Sequence, residues 1–398
     1  MSAALAPGTD TYDVVVAGGG PAGCAAALVL ARAGRTVLLA DAGTGPPKVG
    51  ETLVPAGRVL LGDLGVADRV LDSGHLPCYG SLSAWGSADL HAVDFINDPH
   101  GHGWHLDRRL FDRSLRDASR AAGAEVAEGS AVRDTARTPD GGWTLVLRGG
   151  TGPPGTRSGG ERTVRCRWVI DATGRAAAIA VRCGARRRVE DRLTALYMPL
   201  EADPLDTDRR SLVESDEDGW WYTAPQPSGG RLVAYFTDAD LPAASHTARH
   251  FRRRMTATRH VSRWIHRDGP PPTSPAAPRR AAAHTAHLDT VYGDGWTAAG
   301  DAAVAFDPLS SQGVLTALYT GLGAGLAVDT RLGRAPYGAD SALAAYADKV
   351  AAARSAYLRG RRVIHAQEAR WTDRSFWARR LADLPDSSCR PQEGPSRS

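Results

Sequence analysis

Asp13-Val14-Val15-Val16-Ala17-Gly18-Gly19-Gly20-Pro21-Ala22-Gly23 decides the fold. An apolar run ending in Gly18-x-Gly20-x-x-Gly23 predicts a buried strand that turns sharply into a helix, and each glycine has a job that a side chain would spoil. Gly18 makes the turn, Gly20 admits a pyrophosphate, and Gly23 lets helix meet sheet. The helix, roughly Pro21 to Ala33, aims its unpaired amides and positive dipole end at that pyrophosphate. Gly34 stops it, and a second strand, Arg35 to Ala40, ends in Asp41. That carboxylate lies at the spacing expected for an adenosine ribose partner, so strand, glycines, helix, strand and acid stand in the right order for a dinucleotide site.

The 398 residues are 42% hydrophobic and 7% aromatic, enough for two or three lobes of ordinary globular packing. Formal net charge is +4, but Lys48 and Lys349 are the only lysines and acids nearly balance bases, which gives no nucleic-acid stripe. Five widely spaced cysteines show no Cys-x-x-Cys and no histidine partners at metal spacing, as expected of a reduced cytoplasm, and no metal is expected. The opening residues are too short and weakly apolar for a signal peptide. The longest apolar run, Gly313 to Val328, is too short and glycine-rich for a membrane span and predicts a buried helix.

Downstream, Glu51 to Pro55 leads into a helical stretch ending near Leu71, and Leu106 opens a helix to Ala122. Alternation at Glu125 to Arg137, Trp143 to Arg148 and Thr163 to Ile170 predicts a meander returning to the main sheet. Longer β-like runs follow at Leu193 to Leu200, Gly219 to Ala224 and Arg231 to Asp238, then an arginine-rich helix near Thr247 to Arg267. The last part, Ala339 to Asp383, has helical period, and Pro385 to Ser398 reads as a disordered tail.

Several stretches together resemble one family. Val49-Gly50-Glu51-Thr52-Leu53-Val54-Pro55 is similar to a motif of flavin-dependent halogenases, within the group related to aromatic hydroxylases of the p-hydroxybenzoate hydroxylase type. Asp171-Ala172-Thr173-Gly174 resembles the turn beneath the adenine half of such proteins. Gly295 to Ala303 followed by Phe306-Asp307-Pro308-Leu309-Ser310-Ser311-Gln312-Gly313 resembles their second nucleotide element. The resemblance implies an α/β fold: a Rossmann-like FAD-binding domain from 1–75, 102–185 and 284–335, interleaved with an antiparallel-sheet substrate domain from 76–101 and 186–283. Residues 336–384 would be C-terminal helices.

Non-covalent FAD is implied, held by Gly18, Gly20, Ala22, Gly23, Asp41, Arg108, Asp301, Asp307, Pro308, Gln312 and Gly313. Asp301 would meet the ribityl hydroxyls, and the helix starting near Gly313 would aim amides at the flavin pyrimidine edge. Glu51, Pro308 and Ser311 are the implied residues nearest the reacting ring. Electrons would come from NADH or NADPH, or from a partner flavin reductase, and the co-substrate would be O₂.

The fold hosts several reactions, so the pocket must choose among them. Halogenases of this kind use a lysine some 25 to 30 residues beyond the Val-Gly-Glu motif, whereas Gly74 to Gly86 holds His75, Cys78, Tyr79 and Trp85 but no lysine. Trp220-Trp221-Tyr222-Thr223-Ala224-Pro225 resembles a degenerate copy of the halogenase Trp-x-Trp-x-Ile-Pro motif, with Trp220 and Tyr222 on one strand face as substrate residues. The Gly219 to Ala224 stretch and Asp307-Pro308-Leu309-Ser310-Ser311-Gln312-Gly313 look closest to flavoproteins that hydroxylate tryptophan within a protein or peptide. The expected reaction is therefore hydroxylation of an indole or comparable aromatic ring through a flavin C4a-hydroperoxide, with a Trp-containing peptide or carrier protein as partner. The alternatives are a halogenase, a reductase acting on double bonds, or a non-catalytic flavoprotein. His75, His91, His102 and His105 are candidate bases, and none is singled out.

Overall fold

The computed structural model describes residues 10–43, 52–72, 74–149, 160–201, 206–264, 277–333 and 339–382. Along the chain, β1 (Asp10–Ala17), α1 (Pro21–Arg32) and β2 (Val37–Asp41) form the unit expected from the glycine motif. Strands β3 (Gly80–Ala84) and β4 (His91–Asp94) precede helix α2 (Arg108–Ala121). Then come β5 (Glu125–Glu128), β6 (Glu161–Asp171), β7 (Leu193–Leu200), β8 (Ser211–Asp216), β9 (Gly219–Pro225) and β10 (Arg231–Asp238). Strands β11 (Arg279–Ala282) and β12 (Trp296–Ala298) lead into α3 (Gly313–Leu332), α4 (Ala339–Ala366) and α5 (Ser375–Leu381).

Two sheets organise these elements. The first is an eight-stranded mixed sheet: β12-β6-β1-β2-β5 run parallel, while Tyr292–Gly293 pairs antiparallel with β12 and the hairpin of Ser130–Arg137 and Trp143–Gly149 pairs antiparallel with β6. Its central β1 is buried on both faces, which explains the unbroken Val14-Val15-Val16 run where a half-exposed strand would alternate. The second sheet runs β11-β7-β10-β9-β8-β3-β4 and is antiparallel except where β8 meets β3. Its strands come from residues 80–94, 193–238 and 279–282, and so interrupt the first sheet in sequence.

Helix α1 is apolar all round because it is enclosed: Cys24 to Leu28 and Leu30 are fully buried between the first sheet and α3. The two helices cross at backbone distance. A Cβ on Gly321 would overlap the carbonyl oxygen of Ala22, and one on Gly325 would stand 3.0 Å from that of Ala26. Tyr346 of α4 locks the next layer by donating its buried hydroxyl to the Ala298 carbonyl at 2.6 Å.

Three expected elements are shorter than their periodicity suggested. The stretch to Leu71 is two helices, Gly57–Asp63 and Ala67–Leu71, separated at Gly65 with φ +60°. Glu125 to Arg137 is two strands split at Gly129 with φ +71°. The arginine-rich helix covers only Ala248–Thr256, because the Glu214 carboxylate takes the amides of Arg259, His260 and Val261 at 2.7, 3.0 and 2.8 Å and starts a separate 3₁₀ turn. The tail from Pro385, and Glu51 with the first half of its motif, lie outside the described residues.

Candidate flavin site

At the nucleotide end, Gly18 adopts φ +112°, and a Cβ there would overlap the Ala172 carbonyl oxygen at the tip of β6. Gly20 is the N-cap of α1, extended and without a capping side chain, so the first amides of the helix face outward for an anion. Gly23 sits against the Gly18 carbonyl, again at a distance no Cβ tolerates. This cradle fits the pyrophosphate of a dinucleotide. Asp171, fully buried, keeps it in shape: its Oδ1 accepts from the Thr173 amide and hydroxyl at 2.9 and 2.7 Å, and its Oδ2 from the Ile179 and Ala180 amides, both at 2.8 Å.

Asp41 ends β2 as expected, and it has a partner that sequence reasoning missed. Arg116 of α2 lies 3.2 Å from its Oδ2 and donates to the Gly19 carbonyl at 3.2 Å. Arg108, Asp112 and Arg116 follow one another at i, i+4 and i+8, a stripe that was legible as an inward-facing helix edge. Arg108 itself is buried, with its guanidinium 3.3 Å from Asp112.

The two nucleotide motifs meet in space. Gly300 has φ +63°, and a Cβ built on it would stand 2.7 Å from the Cβ of Ala22. Asp301 follows, half-exposed, with Arg175 at 3.5 Å. Arg175 also donates to the Phe306 carbonyl at 3.0 Å and to that of His284. It directly follows the Thr173-Gly174 turn and was not singled out from sequence.

Beyond Asp301, the chain turns through Asp307, Pro308 and Ser311 into α3. Asp307 Oδ1 accepts from the Leu309 amide at 3.1 Å, and Ser311 is left-handed with φ +50°. Gln312 is the N-cap of α3, and both it and Gly313 are exposed. Asp307 and Gln312 help line a cavity of about 680 Å³ between the helix at 57–63, α3 and α4, with Val59, Leu60, Phe306 and Leu309 among its apolar walls. Burial pushes the Asp307 carboxyl up, against the opposing pull of the Arg361 guanidinium. The Asp307 amide donates to the Tyr357 hydroxyl at 3.3 Å, and Phe306 stacks on that ring at 4.1 Å.

Trp220 and Tyr222 do share one face of β9, but Trp220 is enclosed. It is 1% exposed, stacked on Phe236 at 3.9 Å, and its cluster includes Phe376 and Trp377 of α5. It is a wall of the sheet in this structure and does not reach the cavity. Tyr222 is half-buried and bonds Thr52 at 2.9 Å, the residue that follows Glu51 in sequence. Among the four histidines, His75 accepts from the Asp107 amide at 3.1 Å and lies 3.0 Å from the Val70 carbonyl, so it is structural.

The family described as FAD binding domain matches residues 11–323. The chain belongs to it. LodB of Marinomonas mediterranea, which carries the name of an FAD-dependent oxidoreductase, is 28% identical over 382 residues, covering 94% of this chain and 98% of that protein. The myxobacterial chondrochloren halogenase CndH superposes with a TM-score of 0.81 at 21% identity, over 95% of this chain and 87% of its own, and shows the fold. The peptidyl tryptophan dihydroxylase QhpG superposes with a TM-score of 0.75 at 25% identity, over 93% and 78%. This member of the FAD-binding family is a flavin-dependent oxidoreductase, with the fold common to flavin halogenases and monooxygenases. Among its described residues no helix is long and apolar enough to cross a membrane.

Proposed function

We propose that this enzyme is a monooxygenase that hydroxylates an aromatic ring, an indole by preference, on a tryptophan borne by a peptide or carrier protein. The observation that carries the reading is the segment where a halogenase-like lysine is expected. Residues 74–86 fold as strands Leu76–Cys78 and β3 and contain no lysine. Among the described residues Lys349 is the only lysine, and it is exposed on α4. The likeness to QhpG supports tryptophan as substrate, and the mostly apolar cavity beside Asp307 has the size of a small-ligand site.

Bound FAD would supply the oxygen-activating redox chemistry, with electrons from NADH, NADPH or a partner flavin reductase. The chain's own part is to hold the reactants and exclude water. The glycine cradle and Asp41 would take the nucleotide, Asp301 the ribityl chain, and Asp307 to Gly313 the ring edge. Phe306 and Leu309 give the neighbouring space apolar walls. Exposed Arg249, Arg253 and Arg259 would steer an acidic peptide flank, whereas Arg254 is engaged by Asp216 and Asp218.

The test is mass spectrometry of Trp-containing peptides after incubation with the holoenzyme, NADH or a flavin reductase, ¹⁸O₂ and bromide. Products heavier by one or two ¹⁸O atoms are expected, with peptide-borne tryptophan preferred over free tryptophan. Bromination at a rate comparable to oxygenation would overturn the reading in favour of a halogenase. Saturation of a double bond without O₂ dependence would make the enzyme a reductase.

A further inference from the structure

Among the described residues, His100 is the one histidine in the wall of the cavity beside Asp307, and it is not among His75, His91, His102 and His105. A tight turn puts it there. Asp98-Pro99-His100-Gly101 carries Asp first, Pro second and Gly fourth, the order of a type I turn. The Gly101 amide closes it on the Asp98 carbonyl at 3.0 Å, with Gly101 at φ +80°. The Asp98 carboxylate takes the His100 amide at 2.9 Å. The backbone is thereby held, while the imidazole is exposed and has no hydrogen-bond or ring partner among the described residues.

The other polar groups of that wall are engaged or cannot take a proton. Arg361 is a cation, bound to Asp191 at 3.0 Å and to the Thr285 hydroxyl at 2.9 Å. The Tyr357 hydroxyl meets Thr285 Oγ1 and the Asp307 amide, and the buried Asp307 carboxylate takes the Leu309 amide. Ser310, Thr316 and Gln312 offer hydroxyls or an amide, which are no bases near neutral pH. The histidines expected from the sequence are committed elsewhere: His105 reaches the Arg209 carbonyl at 2.8 Å and Thr52 at 3.1 Å, and His102 Nδ1 the Gly103 carbonyl at 2.7 Å.

An electrophile that enters an aromatic ring displaces a proton. Once the new bond forms, the C–H bond at that carbon breaks, its electron pair restores the aromatic ring, and the proton needs an acceptor. In the hydroxylation proposed above, one atom of O₂ enters the ring and the other leaves as water on two electrons from the nicotinamide. We infer that His100 is the general base that takes the ring proton. Its exposed side lets that proton pass on to solvent, and histidine is the side chain suited to such transfer near neutrality. The inference rests on the cavity as the place where the substrate ring is held; Asp307 and Gln312, assigned above to the flavin edge, line the same space.

The first test uses the FAD-loaded enzyme without reductant. Bound N-acetyltryptophanamide should shield His100 from diethyl pyrocarbonate, as read by peptide mass spectrometry. With reductant and O₂, His100→Gln and His100→Ala should lower kcat for a Trp-containing peptide by about a hundredfold, the lower end of what a positioned base contributes, with KM little changed. Imidazole added to His100→Ala should restore part of the rate. A peptide with a perdeuterated indole ring should slow both variants more than it slows wild type, because C–H cleavage has become the slow step. Melting and FAD retention should match wild type, since the side chain is exposed. Undiminished turnover by His100→Gln, no shielding by the probe, or a rate loss that merely follows loss of FAD would overturn the inference. Bromination that still needs His100 would defeat the hydroxylase reading and leave the base standing, because either electrophile displaces the same proton. Oxygenation that continues unchanged in His100→Gln does the reverse.

Discussion

Gly300→Ala tests whether the meeting of the two nucleotide motifs is what builds the site. Gly300 has φ +63°, where an alanine costs about 1–2 kcal/mol relative to a right-handed conformation. The new methyl would stand 2.7 Å from the Ala22 Cβ, closer than such atoms approach, in a region where α1 and α3 already touch at backbone distance. Overpacking of that kind costs about 1–3 kcal/mol, because the Gly300–Asp301 turn or the start of α1 must move. The sum is about 2–5 kcal/mol. Gly34→Ala is the control: φ is +80°, but nothing lies within 4 Å, so it carries the backbone cost alone.

Guanidinium melts of both variants should separate the steric part. FAD titration should show a second difference: if Asp301 holds the ribityl chain as proposed, displacing it would forfeit a charge-assisted hydrogen bond of about 1.5–3 kcal/mol, or roughly tenfold to 150-fold in affinity. Asp301→Ala should lose the same affinity with little change in stability. Equal midpoints for Gly300→Ala and Gly34→Ala, with FAD affinity unchanged in both, would refute the reasoning.

Asp171→Ala strands the Ile179 and Ala180 amides without their acceptor, and at about 1–3 kcal/mol per buried group it should cost about 2–6 kcal/mol in all; Asp171→Asn, which keeps one oxygen, should lose less in the same melts. Trp377→Ala removes a fully buried ring that meets Trp85 at 5.3 Å, so a loss of about 3–5 kcal/mol is expected, together with new quenchability of tryptophan fluorescence as the Trp220 face opens. Acid should destabilise the fold through His365 and His105, which burial, with Arg361 and Arg380 beside His365, lowers to about 3 and about 4. The unfolded chain takes up these protons from about pH 6.5 downward and the folded one does not, so stability should fall with pH by up to about 1.4 kcal/mol per unit for each histidine; His365→Gln should flatten that slope, and an unchanged slope would contradict the assignment.

The first sheet could be anticipated because its information is local. Gly18, Gly20 and Gly23 specify their own turn, and Asp41 lies one strand away. Arg116 and Arg175 act through tertiary neighbours, and only the Arg108-Asp112-Arg116 stripe hinted at either. Strand β8 was missed for a different reason. Ser211-Leu212-Val213-Glu214-Ser215-Asp216 lacks a clean alternation because its buried positions include polar residues. Glu214 captures the three amides after α-helical residues 248–256, and Ser215 Oγ donates to the Ala84 carbonyl at 3.0 Å and lies 2.7 Å from fully buried Glu368. Asp216 accepts from Trp221, Tyr235 and Arg254, each at 3.0 Å. A strand whose polar side chains are satisfied only by distant segments cannot advertise itself by periodicity.

The same distance governs the aromatic face. Alternation correctly paired Trp220 with Tyr222, but what covers each is decided elsewhere. Phe376 and Trp377 arrive from the far end of the chain, and α5 is clamped there by Arg380, whose guanidinium pairs with nearly buried Asp238 at 2.8 Å, and by Arg379 at 2.9 Å from the same carboxylate. Trp220 is thereby spent on packing, while Tyr222, one pleat along, is half-buried against the same cluster and also bonds Thr52. A two-residue period thus separates a structural aromatic from a candidate substrate contact. The distinction lies in the docking of α5, so changes to α5 should alter the shape of this face of the second sheet while leaving the glycine cradle and its FAD affinity intact.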